Sequence, residues 1–210
     1  IISKLLHRCG LTKSASLIEV QREHLVGEYV GQTAGKTQKV IDEAKDGVLF
    51  IDEAYRLSQG GGKSDFGKEA IEQLMGAMND PPGKAPVMVF AGYPDDMSDF
   101  MTKNAGLYRR IPYTFDFPDY SCSDLAEILE IMVNKKGYEI VTSLQERGRA
   151  RLAALIEKKT LPHARALMNG GLAERIFSFA KQALDARDDP ENPTVVLNEA
   201  DILTACAQIP

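Results

Sequence analysis

Val48-Leu49-Phe50-Ile51 sets four large apolar residues in a row and ends them on the paired carboxylates Asp52-Glu53. A strand with one wet face alternates polar and apolar. An unbroken apolar run needs cover on both faces, which a parallel sheet with helices on either side supplies. The neighbouring segments repeat the theme. Ser16-Leu17-Ile18-Glu19-Val20 has the β-branched, apolar character of a short strand,. Pro86-Val87-Met88-Val89-Phe90-Ala91-Gly92-Tyr93 is a further strand of buried type with Tyr93 at its end. Between them lie helical patterns. Val40, Ile41 and Ala44 share a face over 33–46, while Phe66, Ala70, Ile71, Leu74, Met75 and Met78 recur at helical spacing after the glycine-rich loop 59–64,. Strand, helix, strand, helix, strand predicts an α/β fold on a parallel sheet.

A shorter strand is expected at 113–117, with a break at Pro118-Asp119-Tyr120,. The pattern beyond is helical. Ser121 or Ser123 caps a helix carrying Leu125, Ile128, Leu129 and Met132, and further helices suit 144–159, 171–187 and 199–208, with Asn169-Gly170-Gly171 and 188–193 as punctuation,. The expected division is an α/β subdomain over 1–118 and a small helical subdomain over 119–210. Residues 1–9 pattern as the tail of a helix stopped by Gly10, so the α/β part is expected to be incomplete at its N-terminus,.

A net charge of -5 over 210 residues argues against a chain whose business is gripping nucleic acid or an anionic membrane,. No apolar run approaches the roughly 18 residues of a membrane span, and nothing resembles a secretory signal. The expectation is a soluble protein, cytoplasmic or organellar, plastids included, and not secreted. Cys9, Cys122 and Cys206, like His7, His24 and His163, are scattered without metal-ligand spacing, so neither zinc nor a disulfide framework is indicated,.

Chemistry concentrates at Asp52-Glu53, because strands of a parallel sheet deliver side chains to a ligand crevice at their carboxyl ends. An Asp there suits Mg²⁺, and a Glu beside it can polarise an attacking water. The plain alternative is a strand followed by a solvated acidic turn. Gly31-Gln32-Thr33-Ala34-Gly35-Lys36-Thr37 imitates a phosphate-cradling P-loop but has three residues between its glycines where that loop has four,. The cradle depends on successive amides pointing inward, so Gly31 is assigned to a loop and 33–37 to the first turn of a helix.

Several words, in order, resemble AAA+ ATPases, most closely the family of the red-type rubisco activase and stage V sporulation protein K. They are Glu28-Tyr29-Val30-Gly31-Gln32-Thr33, the Asp-Glu-Ala-Tyr-Arg-Leu beginning at Asp52, Asp65-Phe66-Gly67-Lys68-Glu69-Ala70-Ile71, the strand ending at Tyr93, Asn104-Ala105-Gly106-Leu107-Tyr108-Arg109-Arg110-Ile111, and Phe117-Pro118-Asp119-Tyr120. The resemblance implies a P-loop NTPase subdomain followed by a helical lid, with ATP and Mg²⁺ as cofactors. It also implies a phosphate-binding lysine in sequence preceding Ile1, and a ring, a hexamer by family habit, that remodels a protein client.

By the same resemblance Asp52 looks like the Mg²⁺ residue and Glu53 like the residue that orients the hydrolytic water. Tyr93 stands at the sensor 1 position, where the family's asparagine is absent. Arg110, helped by Arg109, looks like the arginine finger reaching a neighbouring subunit, with Ala105 in place of the usual proline. Tyr29 and Val30 match the aromatic-aliphatic pair of the pore loop that grips a client. The usual sensor 2 arginine is replaced by Leu172, leaving Arg175 as the candidate nucleotide contact in the lid. Two other readings stay open. One is a non-catalytic ring subunit that lends Arg110 to its neighbour. The other is a clamp loader acting on nucleic acid, against which the acidic charge and the aromatic pair weigh.

Overall fold

The computed structural model describes residues 1–59, 66–81, 83–145, 149–187 and 194–210. The expected loop 59–64 falls outside them except for Gln59, as do Pro82 and the punctuation at 188–193. The chain divides into two units, Ile1–Asp116 and Phe117–Pro210, each with its own core.

In the first unit α1 (Ile2–Arg8) leads to β1 (Leu17–Val20), the short α2 (Arg22–Leu25) and α3 (Thr33–Ala44), then β2 (Val48–Ile51). A 3₁₀ turn, Ala54–Ser58, and α4 (Gly67–Ala77) precede β3 (Val87–Phe90), after which come α5 (Pro94–Lys103) and α6 (Ala105–Tyr108). The strands form a parallel sheet in the order β1-β2-β3. Val48 pairs with Leu17 on one side and Val87 on the other, and Ile51 with Val20 and Phe90. β2 is therefore the central strand of the three, and Leu49 and Ile51, on one face, are buried among α3 and α4 residues such as Ile41, Ile71 and Leu74. On the other face Val48 is buried and Phe50 only half-buried, so the cover expected on both sides of the run is complete on one side alone,.

Two expectations for this unit need correction. β3 ends at Phe90, and Tyr93 lies beyond it as the N-cap of α5. Pro94 explains this, because its fixed φ and missing N–H favour the first position of a helix over the interior of a ladder. Helix α5 was itself not foreseen. Residues 113–117 form no strand: Tyr113, Phe115 and Phe117 alternate as a strand would, but all three are exposed and no described strand pairs with the segment. Alternation specifies a face, and a strand also needs a partner for its backbone.

The second unit contains α7 (Cys122–Lys135), β4 (Glu139–Ile140), α8 (Thr142–Gln145), α9 (Ala150–Lys159), α10 (Pro162–Met168), α11 (Gly170–Arg187), β5 (Val196–Leu197) and α12 (Glu199–Ala207). Ser121, not Ser123, caps α7: its hydroxyl accepts from Asp124 N while the Asp124 carboxylate accepts from Ser121 N,. The helix expected over 144–159 is two helices, α8 and α9. The unit is not helical throughout, since β4 and β5 pair in parallel. Leu125, Leu129, Leu152, Ile156, Leu172, Ile176, Leu184 and Ile202 fill its core.

Candidate functional site

The centre of the site is the exit of β2. Asp52 N donates to Val20 O, holding the residue to the edge strand, and Asp52 Oδ1 accepts from Glu53 N at 3.0 Å. Glu53 then takes a left-handed conformation, φ 48° and ψ 44°, which throws the chain into the 3₁₀ turn. A non-glycine residue there costs on the order of 1 kcal/mol and marks a position the surroundings over-determine. The Glu53 carboxylate accepts from the Tyr55 hydroxyl at 3.2 Å and lies 3.0 Å from Arg56 Nη2. Burial first, then the hydrogen bond to Glu53 and the charges of Glu53 and Asp96, hold the Tyr55 phenol above its ordinary value against the opposing Arg56 charge. At neutral pH it is a donor.

The 3₁₀ turn is tied on every side. Arg22 Nη1 donates to the carbonyls of Arg56 and Leu57 at 2.8 and 3.1 Å. Ala54 N donates to Ala91 O, and Gly92 lies so close to the Tyr55 ring that an added Cβ would stand 2.7 Å from Cδ1. Gly67 presses on Leu57 O, where a Cβ would come to 1.9 Å. Asn104 Nδ2 donates to Ser58 Oγ at 2.9 Å, fastening the start of the Asn-Ala-Gly-Leu-Tyr-Arg-Arg segment to the end of the turn. Sequence reasoning missed Arg22, Asn104, Gly67 and Gly92, whose roles rest on contacts 10 to 46 positions away along the chain.

Thr33, Lys36 and Thr37, the polar residues of the P-loop imitation, serve the loop before α3. Thr33 Oγ1 accepts from Gly27 N at 3.0 Å, Lys36 Nζ donates to Glu23 O and Val26 O, and Thr37 Oγ1 donates to Leu25 O at 2.9 Å. A lysine committed to two carbonyls inside a formed helix is not a phosphate cradle. What these bonds secure is a tight loop with Gly31 at φ +81° and, at its apex, Tyr29 and Val30, 69% and 84% exposed.

Tyr93 is exposed at the head of α5, two residues past Ala91 and so beside the Glu53 turn in the chain path. Arg109 and Arg110 follow α6, both exposed. Arg110 is held locally, Nε donating to Asn79 Oδ1 at 3.0 Å and Nη1 to Gly106 O at 2.8 Å. The Arg109 guanidinium has no hydrogen-bonding or ionic partner among the described residues. Asp52, Glu53 and the 91–93 segment are thus brought together, and the arginines are linked to them through Asn104. Arg175 belongs to the second unit, exposed on α11 and unpaired among the described residues, whereas Leu172 is fully buried in that unit's core. Asn169 and the Asp119-Tyr120 pair are joined in the same unit, Asn169 Nδ2 donating to Asp119 Oδ1 and Tyr120 N to Asn169 Oδ1.

Among the described residues no three His, Cys, Asp or Glu side chains converge on a metal position. Asp52 offers a hard oxygen at a strand exit, and a single carboxylate completed by phosphate oxygens and water is the usual coordination of Mg²⁺. The residues fit that ion. No helix among the described residues is long and apolar enough to cross a membrane.

The family model described as the ATPase family associated with various cellular activities (AAA) matches residues 1–112, and a model described as a domain of unknown function matches 119–199. The chain is 37% identical over 189 residues to Protein CbbX of Cereibacter sphaeroides, covering 87% of this chain and 61% of that one. It is 44% identical over 140 residues to Stage V sporulation protein K of Bacillus subtilis, covering 67% and 43%. It is 38% identical over 193 residues to the chloroplastic ribulose bisphosphate carboxylase/oxygenase activase of Cyanidioschyzon merolae, covering 89% and 66%. The chain spans less than two thirds of the length of each of these three relatives.

Proposed function

The chain belongs to the ATPase family associated with various cellular activities, and on that footing we propose that the protein carrying it binds ATP with Mg²⁺, hydrolyses the nucleotide within a ring, and uses the work to remodel a client polypeptide. The observation that carries this reading is the exit of the central parallel strand, where Asp52 and a left-handed Glu53 stand side by side on a turn tied from four directions. Preorganised charge of this kind is what phosphoryl transfer requires, since the protein's contribution there is positioning and electrostatics.

Asp52 would hold Mg²⁺, which supplies neutralisation of the phosphate oxygens when bound. Glu53 orients the attacking water and accepts its proton. Tyr93 supplies a hydroxyl that can bond water or phosphate. Arg110 and Arg109 serve a neighbouring subunit's nucleotide, where a guanidinium stabilises the charge developing on the transferred phosphoryl group. Arg109, whose side chain is unpaired among the described residues, is the freer of the two to reach across. Tyr29 and Val30 grip the client at the loop apex, an aromatic and an aliphatic surface that require no particular side chain from it. Arg175 is the remaining candidate contact to nucleotide from the second unit.

The test is Glu53→Gln in the full-length protein. Turnover is expected to fall by about 100-fold or more while nucleotide binding persists. Parental turnover would remove Glu53 from the chemistry and favour the reading in which the protein completes a neighbour's site without hydrolysing ATP itself.

A further inference from the structure

Both oxygens of the Glu53 carboxylate are engaged by the turn that Glu53 itself begins. Oε1 accepts from the Tyr55 hydroxyl at 3.2 Å and Oε2 pairs with Arg56 Nη2 at 3.0 Å. The Arg56 pairing spans three positions, the same span closed by the bond from Arg56 N to Glu53 O that opens the 3₁₀ turn. Neither partner is loose. The Tyr55 ring is buried and lies close against Gly92, and the Arg56 carbonyl is held by Arg22. An ionised carboxylate has about four acceptor sites, so these contacts fix its direction and leave about two for a water.

Resting on the reading that Glu53 handles the hydrolytic water, we propose that Arg56 and Tyr55 are positioning residues for it, clamping the carboxylate so that its open acceptor sites keep one direction through turnover. The bland account is a surface ion pair. Arg56 is about half exposed, and an ion pair of that kind contributes little to folding,. That weakness makes the two accounts separable: loss of the clamp touches the rate and leaves the fold alone.

The experiment is steady-state ATP hydrolysis by the full-length protein carrying Arg56→Gln, Arg56→Lys, Tyr55→Phe or Glu53→Gln, with the thermal midpoint of each. Arg56→Gln is expected to lower kcat by about 10-fold with KM for ATP within about twofold, the pattern of an interaction realised in the transition state. Arg56→Lys should restore a substantial part of the loss, and Tyr55→Phe, which keeps the buried ring, should lower kcat by about threefold. Midpoints should stay within about 2 °C of the parent. Parental kcat in Arg56→Gln and Tyr55→Phe alongside an inactive Glu53→Gln overturns the clamp and leaves the role of Glu53 standing. A rise in KM that accounts for the whole loss also overturns it. Parental activity in Glu53→Gln brings down the reading on which the clamp rests.

Discussion

The two units weight their polar side chains differently, although the first also holds the Arg56–Glu53 pair and in the second Arg165 donates to the carbonyls of Glu157 and Thr160. In the first unit charges and hydroxyls reach for backbone: Arg22 for the carbonyls of Arg56 and Leu57, Lys36 for those of Glu23 and Val26, Thr37 for Leu25 O. In the second unit charges reach for each other. Arg187 takes both oxygens of Asp201 at 2.8 and 2.7 Å, Arg149 pairs with Glu130 and Glu127, and Arg151 with Glu199. Bonds to backbone fix the course of a loop, and so place whatever side chain stands at its apex. Bonds between side chains of different helices fix how those helices pack. In the first unit these bonds hold the turn after Glu53 and the loop that carries Tyr29, and in the second they hold helices against one another.

The contrast can be broken, beginning with its largest expected effect. Arg187→Ala leaves the Asp201 carboxylate, 2% exposed, without its bidentate partner. The expected loss is about 3 kcal/mol, read as faster hydrogen exchange in α11 and α12 with α3 and α4 unmoved. Equal loosening of α3 and α4 would show that the units do not keep their stability separately.

Gly67→Ala comes next. At an ordinary helix glycine this change gains about 1 kcal/mol. Here the new Cβ would meet Leu57 O and Arg22 Nη1, so the sign reverses to a loss of about 2 kcal/mol, measured by denaturant unfolding, and turnover by the full-length protein falls with it,. A gain in stability would mean that the turn after Glu53 yields easily and is not a fixed platform. The smallest effect is that of Thr37→Val, which strands the buried Leu25 carbonyl for about 1 kcal/mol and should speed exchange of the 27–32 amides by several-fold,. If those amides keep the parental rate, the hydroxyls of α3 do not root the loop.

Much of the first unit was legible because its signals are local. The unbroken apolar run of β2, the periodicity of α3 and α4 and the carboxylates at the strand exit each lie within a dozen residues. α5 and α10 carried a local signal too, Pro94 and Pro162 at their first positions, with Asp95 and Asp96 behind the former,. The illegible part is what depends on a partner. Tyr113, Phe115 and Phe117 have the alternation of a strand without a neighbour to pair with, and β4 and β5 are two residues each, too short to alternate at all. Arg22 over the 3₁₀ turn and Arg187 over Asp201 are meetings that folding arranges. Nothing in the residues adjoining either arginine announces them.

The loop that carries Tyr29 and Val30 separates two kinds of selection. Its roots, Thr33, Lys36 and Thr37, are answerable to folding, and its apex buries almost nothing. Descendants of this sequence are thus free to exchange the apical pair for other side chains with little risk to the fold. On the proposed reading of the loop, preference for one client over another can then drift or adapt quickly on a scaffold that stays the same.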